Sequence, residues 1–441
     1  MSKKQMNLAM FLFPGFHFGA WRLPDAIPEI DLGIEHYVNA AKLAEEGKMD
    51  AIFFEDQAAV PRSNNIMKGD TYGGASPRAI HFDPSMLLPA LARETTHLGL
   101  VATATTTFNE PYNIARRFSS LDFISNGRAG WNLVTSFNEN EAQNFGMDVH
   151  MDHGDRYERA GEFFDVVSGL WEGWEKGSLT RDKEKGVYFD VSKMNFLNHE
   201  GKYFKVRGPL TMDRSPQVRP AIFQAGSSII GRTLAARTAD AIFTHQPTPA
   251  ACKNFRDDVR NRTEGFGRNP DHIKILPGIM PIVAETDEEA QALHARMKEL
   301  IPEDLAIGWM MQNSGGLDVR DYDLNGPLPE MPKTNAGTTM QNLMAEYASK
   351  ENKSILETAR HFAESTGQPV IVGSPTTIAD IMQEWFESGA CDGFLVSPPY
   401  FPTGVEKFVR LVIPELQRRG LFREDYTGSH LRDHLGVANY Q

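Results

Sequence analysis

The sequence predicts an α/β protein of the (β/α)8 TIM-barrel class carrying insertions, and three observations predict it. Short apolar runs alternate with helical periodicity along nearly the whole chain, the pattern of parallel strands joined by helices. The runs are unbroken rather than alternating in polarity, as strands covered on both faces must be. The strand–helix units number eight, which closes a barrel and suits a doubly wound sheet less well. Pro220 to Phe243, PAIFQAGSSIIGRTLAARTADAIF, shows the unit at its shortest: strand, small-residue turn, helix, next strand.

Taken in order, Met6 to Phe13 is the first strand. Lys3-Lys4 ahead of it imitates a signal peptide, but Pro14-Gly15 breaks the run, no small-residue cleavage site follows, and no apolar stretch of about 18 residues exists. A loop with His17, Trp21 and Arg22 leads to a helix from Glu35 to Gly47, whose apolar face is Ala40, Ala41, Leu43 and Ala44. Ala51 to Phe54 is the second strand, ending at Glu55-Asp56 and followed by a long polar loop, 57–83, of the kind that tends to be functional. Helix Pro84–Thr96, strand Leu98–Thr103, helix Pro111–Ser125 and strand Ala129–Val134 continue the alternation. A helix from Asp155 to Trp174 precedes a polar excursion to Arg219 and the Pro220 unit. Then come strand Ala241–Thr244, helix Ala250–Thr263, strand Ile273–Val283 and a helix from Asp287. Pro302 to Met340, with Gly315-Gly316 and several prolines, reads as an insertion; helix Pro375–Ser388, strand Gly393–Val396 and helix Val405–Arg419 close the chain. Residues 1–441 are thus expected to form a single barrel domain with insertions near 57–83, 175–219 and 302–340.

Hydrophobic residues at 41% with 23% charged describe a soluble globular chain able to bury a large core. Lys+Arg 45 against Asp+Glu 58, a formal net charge of -13, argues against nucleic acid or an anionic membrane as the main partner. Cys252 and Cys391 stand far apart without CxxC or Cys/His spacing, which fits a reducing cytoplasm and no structural zinc.

A barrel of this kind carries its chemistry at the C-terminal ends of the strands. Those ends read Glu55 and Asp56, Thr103 and Thr105 to Thr107, Asn132, Thr135 and Ser136, Gln224 to Ser228, His245 and Gln246, and Ser397. Hydroxyls and amides dominate, which suits the edge of a flat polar heterocycle and a phosphate better than a metal. Ala225 to Ser228 is a tight turn with a serine at or beside an N-cap, so the unpaired N–H groups and positive dipole end of the next helix form an anion site. An ordinary capped helix is the alternative reading, and no Lys follows as a P-loop requires. His153 and Tyr157, four apart at a helix start, can project from one face as further phosphate donors. His150, Asp152, His153 and Asp155 match no metal-ligand spacing, so no metal is expected. No GxSxG elbow or GxGxxG frame is present. Arg62, Lys68, Arg78 and His81 put cationic side chains into the long second loop, as a solvated loop or as a carboxylate-binding lid.

Five stretches make the reading specific: GLVATATTTFNEPYNIARRFSSLD, ISNGRAGWNLVTSFNENEAQNFG, HGDRYERAGEFFDVVSGLW, FQAGSSIIGRTLAARTAD and GFLVSPPYFP, with a final LRDHLG. In these, across essentially its whole length, the chain resembles the bacterial luciferase-like FMN-dependent monooxygenases, in the subgroup containing nitrilotriacetate monooxygenase and dibenzothiophene sulfone monooxygenase. The resemblance implies a barrel enzyme using O2 and reduced FMN delivered by a separate NAD(P)H:flavin reductase, assembled as a homo-oligomer, dimer or tetramer. It implies Asp56, Thr103 and Asn132 around the isoalloxazine ring, and His153, Tyr157, Ser227 and Ser228 on the ribityl phosphate, Ser228 the stronger of the two serines. The first loop, GFHFGAWR, holds His17 out of clear register with the sulfone-oxidising relatives, and the insertion segment MQNSGGLD lacks their histidine. With the cationic loop, this departure points to a small carboxylate-bearing substrate oxygenated beside a C–N or C–S bond. His17 or His245 is the expected general base, since histidine titrates near neutrality, with a packed loop residue as the equal alternative for either. Three other readings share the features. They are a deazaflavin- or FMN-dependent oxidoreductase on the same barrel, an isomerase or lyase with a phosphate ligand, and a non-catalytic flavin-binding protein.

Overall fold

A computed structural model describes residues 4–13, 16–60, 77–332 and 339–440 of the chain. The strands are β1 (Asn7–Phe11), β2 (Ala51–Phe54), β3 (Gly99–Thr105), β4 (Ala129–Val134), β5 (His199–Glu200), β6 (Lys205–Val206), β7 (Ala221–Gln224), β8 (Ala241–Thr244), β9 (Lys274–Val283), β10 (Val370–Gly373) and β11 (Gly393–Val396). Eight of them close a parallel ring in the order β1-β2-β3-β4-β7-β8-β9-β11 and back to β1, so the (β/α)8 barrel is the fold. These are the eight strands the sequence predicts.

Side-chain parity divides each strand. Leu8, Met10, Ile52, Phe54, Leu100, Ala102 and Trp131 point outward under the helices. Ala9, Phe11, Ala51, Phe53, Val101, Phe223 and Phe243 point into the barrel. Both sets are apolar because both faces are covered, hence the unbroken runs in the sequence. Leu431, Leu435 and Val437 of the C-terminal segment join the inner set, and helix Leu431–Leu435 plugs the N-terminal end. A Cβ at Gly99 would lie 2.7 Å from the Asp50 carbonyl oxygen and 2.4 Å from Leu431 Cδ1, so the neighbouring strand and the plug together need glycine there.

The structure departs from the sequence reading after Glu299. Helices Glu303–Asn313, Thr339–Lys350 and Ile355–Ser365 surround a separate apolar cluster of Leu305, Met310, Met344, Ile355, Ala359 and Phe362, joined by Phe18 from the first loop. The insertion therefore runs past Met340 to Ser365. Strand β10, also unpredicted, pairs among the described residues with the C-terminal end of β9 alone, Val370 opposite Met280 to Gly373 opposite Val283. The excursion after Trp171 holds little beyond the β5–β6 hairpin, tied down by Glu162, which accepts the Tyr203 and Phe204 N–H groups.

Candidate active site

A cavity of about 360 Å³ opens at the C-terminal ends of the strands. One wall is aromatic, with Phe11, Phe16, Phe18, Phe53, Phe243 and Trp309. The rest mixes apolar side chains such as Leu133, Phe137, Leu234 and Met340 with most of the strand-end residues named above.

The β7 side is built around two helix starts. Ser228 caps helix Ile229–Thr238, its Oγ accepting the Gly231 N–H at 3.1 Å. Tyr157, from helix His153–Trp171, brings its hydroxyl against this turn: a Cβ on Gly226 or Gly231 would lie 3.1 or 2.9 Å from Tyr157 Oη. Only glycine admits the phenol at both places. Burial raises the Tyr157 pKa against hydrogen bonds with Thr135 and Ser228, so the hydroxyl is neutral. The His153 ring sits with its centroid 4.9 Å from that of Tyr157, its pKa lowered by burial and then by Arg156. Arg156, fully buried, lines the cavity and donates to the Met151 carbonyl at 2.8 Å. Ser227 Oγ is hydrogen-bonded to Thr339 Oγ1 of the insertion. The structure thus brings together His153, Tyr157, Ser227, Ser228 and the strand-end Thr135, and adds Arg156, Gly231 and Thr339, which sequence reasoning missed. Arg156 is three positions from His153 on the same helical face, a spacing that could have found it.

The floor is an ordered amide–hydroxyl chain. Thr103 Oγ1 donates to the Phe54 carbonyl at 2.8 Å and accepts from Asn132 Nδ2 at 2.7 Å. This fixes the Asn132 amide and leaves its Oδ1 buried without a hydrogen-bond partner among the described residues. Gln368, also missed, accepts from Ser397 at 2.7 Å and holds its Nε2 buried without a partner among the described residues. Asp56, at the end of β2, faces His81 at 3.4 Å.

The two histidines expected as bases are placed differently. His245 lines the cavity edge-on to Phe243, with burial driving its pKa down to about 4 against the Gly367 backbone, Arg78 adding to the shift. His17 is fully buried outside the cavity lining, its Nδ1 accepting the Gly19 N–H at 3.2 Å. Burial drives it too to about 4, opposed by Glu364. Of the cationic loop, Arg78 lines the cavity in an ion pair with Glu55, and His81 faces Asp56; Arg62 and Lys68 lie outside the described residues. Among the described residues no group of three or more His, Cys, Asp or Glu could hold a metal ion, and no helix is long and apolar enough to cross a membrane.

Residues 8–392 match the family model described as luciferase-like monooxygenase. The chain belongs to the luciferase-like monooxygenase family. It is an enzyme, a flavin-dependent monooxygenase. It is 45% identical to nitrilotriacetate monooxygenase component A of Aminobacter aminovorans, over 99% of this chain and 97% of that one. It is 43% identical to N-acetyl-S-(2-succino)cysteine monooxygenase of Bacillus subtilis (strain 168), again over 99% and 97%. Among solved structures, a riboflavin lyase with modified FMN and substrate riboflavin superposes with a TM-score of 0.89 at 30% identity, covering 99% of this chain and 97% of that one.

Proposed function

We propose that this luciferase-like monooxygenase uses reduced FMN, supplied by a separate NAD(P)H:flavin reductase, and O2 to oxygenate a small carboxylate-bearing molecule beside a C–N or C–S bond. The observation that carries the flavin is the convergence of Ser228, Tyr157, His153 and Arg156 on one helix N-terminus beside a floor of unpartnered buried amide atoms. The residues fit FMN on both counts. A capped helix start with a neutral phenol, an imidazole and a guanidinium suits a phosphate. Asn132 Oδ1 and Gln368 Nε2 offer an acceptor and a donor to a heterocycle edge, and leaving them unsatisfied is costly. Asp56 and Thr103 complete the ring end; Ser227 stands beside Ser228 through its bond to Thr339.

Bound reduced flavin would supply the two electrons and the activation of oxygen. The chain's own part is to hold it, exclude water with the aromatic wall and move a proton. Burial removes the near-neutral titration expected of either histidine, so the base is chosen by position: His245, unprotonated at pH 7, lines the cavity and His17 does not. Hydroxylation of a carbon bonded to N or S gives a carbinol. His245 takes the O–H proton as the C=O bond forms, the C–N or C–S bond breaks, and the leaving nitrogen or sulfur is protonated. The carboxylate reading is supported by two relatives whose names denote polycarboxylates with such a carbon.

The test is oxygen uptake with FMN, NADH, a flavin reductase and a panel of polycarboxylates. Substrate-dependent uptake matched by a cleaved product is expected. Uptake that yields only hydrogen peroxide with every carboxylate defeats the substrate class, and FMN binding without any oxygenation defeats the monooxygenase reading in favour of a flavin-binding protein. Tyr157→Phe should weaken reduced-FMN binding by about 1 to 3 kcal/mol in an anaerobic titration. An unchanged affinity removes Tyr157 from the phosphate end.

A further inference from the structure

We propose that Arg78 is the anchor for a substrate carboxylate and that Glu55 is its internal stand-in, a side chain that the incoming carboxylate displaces. This rests on the carboxylate reading above and names the residues that enforce it. Arg78 and Glu55 both line the cavity and are paired with each other, their side chains only 11% and 23% exposed. The Arg78 guanidinium lies 4.7 Å from the ring centroid of Phe13 and 5.8 Å from that of Phe16, held against two aromatic faces. An ion pair removed this far from water is weak evidence for stability, because desolvation offsets the attraction. Its position is more informative. Phe13 and Phe16 follow β1, and β1 lies four places round the ring from β7, on the far side of the barrel from Ser228. The cavity's other arginine, Arg156, belongs to the β7 side.

The neighbouring acids have other partners: Asp56 faces His81, and Glu141 accepts the Ala58 N–H at 3.0 Å. Gln57 Nε2 lies 3.4 Å from Glu55 Oε1, so Glu55 keeps a donor when Arg78 turns to a ligand. Exchange of one carboxylate for another preserves the charge-assisted hydrogen bonds of a guanidinium fork, whereas a neutral substrate offers nothing equivalent. Glu55 thereby sets a threshold that only an anionic substrate passes.

The experiment measures binding of nitrilotriacetate, N-acetyl-S-(2-succino)cysteine and succinate by calorimetry, with KM and kcat for any that turn over, in wild type, Glu55→Gln and Arg78→Gln. Glu55→Gln should tighten carboxylate binding at least five-fold. Arg78→Gln should weaken it at least thirty-fold through KM more than kcat, and Arg78→Lys should restore only part. Arg78→Gln within two-fold of wild type, or Glu55→Gln binding more weakly than wild type, overturns the anchor while the carboxylate class stands. Should Arg78→Gln fail to fold, Glu55→Gln decides alone. No binding of the panel by wild type or Glu55→Gln overturns the anchor and the substrate class together, and leaves the monooxygenase assignment to oxygen uptake with other substrates.

Discussion

At the N-terminal end of the barrel, Asp240 gives both carboxylate oxygens to Arg432 at 2.8 Å each and accepts the Ile222 N–H as well. At the C-terminal end, Asn132 uses its Nδ2 and leaves its Oδ1 without a partner among the described residues. Other groups repeat the contrast. At the N-terminal end Arg128 is buried among the carbonyls of Ala92, Thr95, Leu98 and Ser125. Asp122 takes the backbone and side chain of Gln217. At the other end Gln368 keeps a donor unmet. The exceptions at the N-terminal end are both nitrogens of His434, His97 Nδ1, Ser215 Oγ and one nitrogen each of Arg256, Arg260 and Arg423. A buried polar group with all its partners fixes a fold, while one left short is a place for a ligand.

The largest expected effect tests the first half of that contrast. Asp240→Ala strands the Arg432 guanidinium, which is 1% exposed, and should cost about 3 to 5 kcal/mol of unfolding free energy in urea. Reduced-flavin affinity of the folded fraction should not change. Asn132→Leu should do the reverse: about 1 kcal/mol or less in stability, from the lost bond to Thr103, but about 2 kcal/mol in affinity for reduced FMN. Equal stability losses in the two variants would erase the distinction between the ends. Ser228→Ala sits between them, because Ser228 is a helix cap and, in the proposed function, a phosphate ligand. It should cost about 1 kcal/mol in stability and a similar amount in flavin affinity, and a loss confined to stability would reduce it to a cap.

The same contrast explains what the sequence disclosed. The ring strands are legible because each is apolar on both faces, and strand-end polarity is legible because parity sends Thr103 and Asn132 inward. β10 escapes because its four residues pair with only one end of β9. The helices between Thr339 and Ser365 pack on the insertion rather than on the ring, so the strand–helix alternation gives no cue to them. Gly231 carried a readable signal, since glycine inside a helix costs about 1 kcal/mol and asks for a reason, here the Tyr157 hydroxyl. The N-terminal end held a plainer one. DAIFF at 50–54, DAIFT at 240–244 and DGFLV at 392–396 each put an aspartate just before a strand. Asp50, Asp240 and Asp392 respectively accept the N–H of Leu8, Ile222 and Ile275, the second residue of β1, β7 and β9. Gln368 had no such signal, because it precedes a strand the pattern did not reveal.

The smallest effect concerns the exceptions. Burial pushes His434, like His245 and His17, down to about 4. In the unfolded chain these imidazoles protonate near pH 6.5, whereas the folded protein keeps them neutral until about pH 4. The unfolded state therefore binds more protons through that window, and stability falls as pH drops from 6.5 to 4, with no slope from these groups above it. His434→Phe keeps a ring against Tyr426, whose centroid is 4.8 Å away, and removes one titrating group. Urea unfolding at pH 5 and 6 should show a slope shallower by up to about 1.4 kcal/mol per pH unit. An unchanged slope would mean that His434 is protonated in the folded protein, with Asp50 as its counter-ion. One of the exceptions at the N-terminal end would then be a satisfied ion pair, which leaves that end with fewer unmet groups.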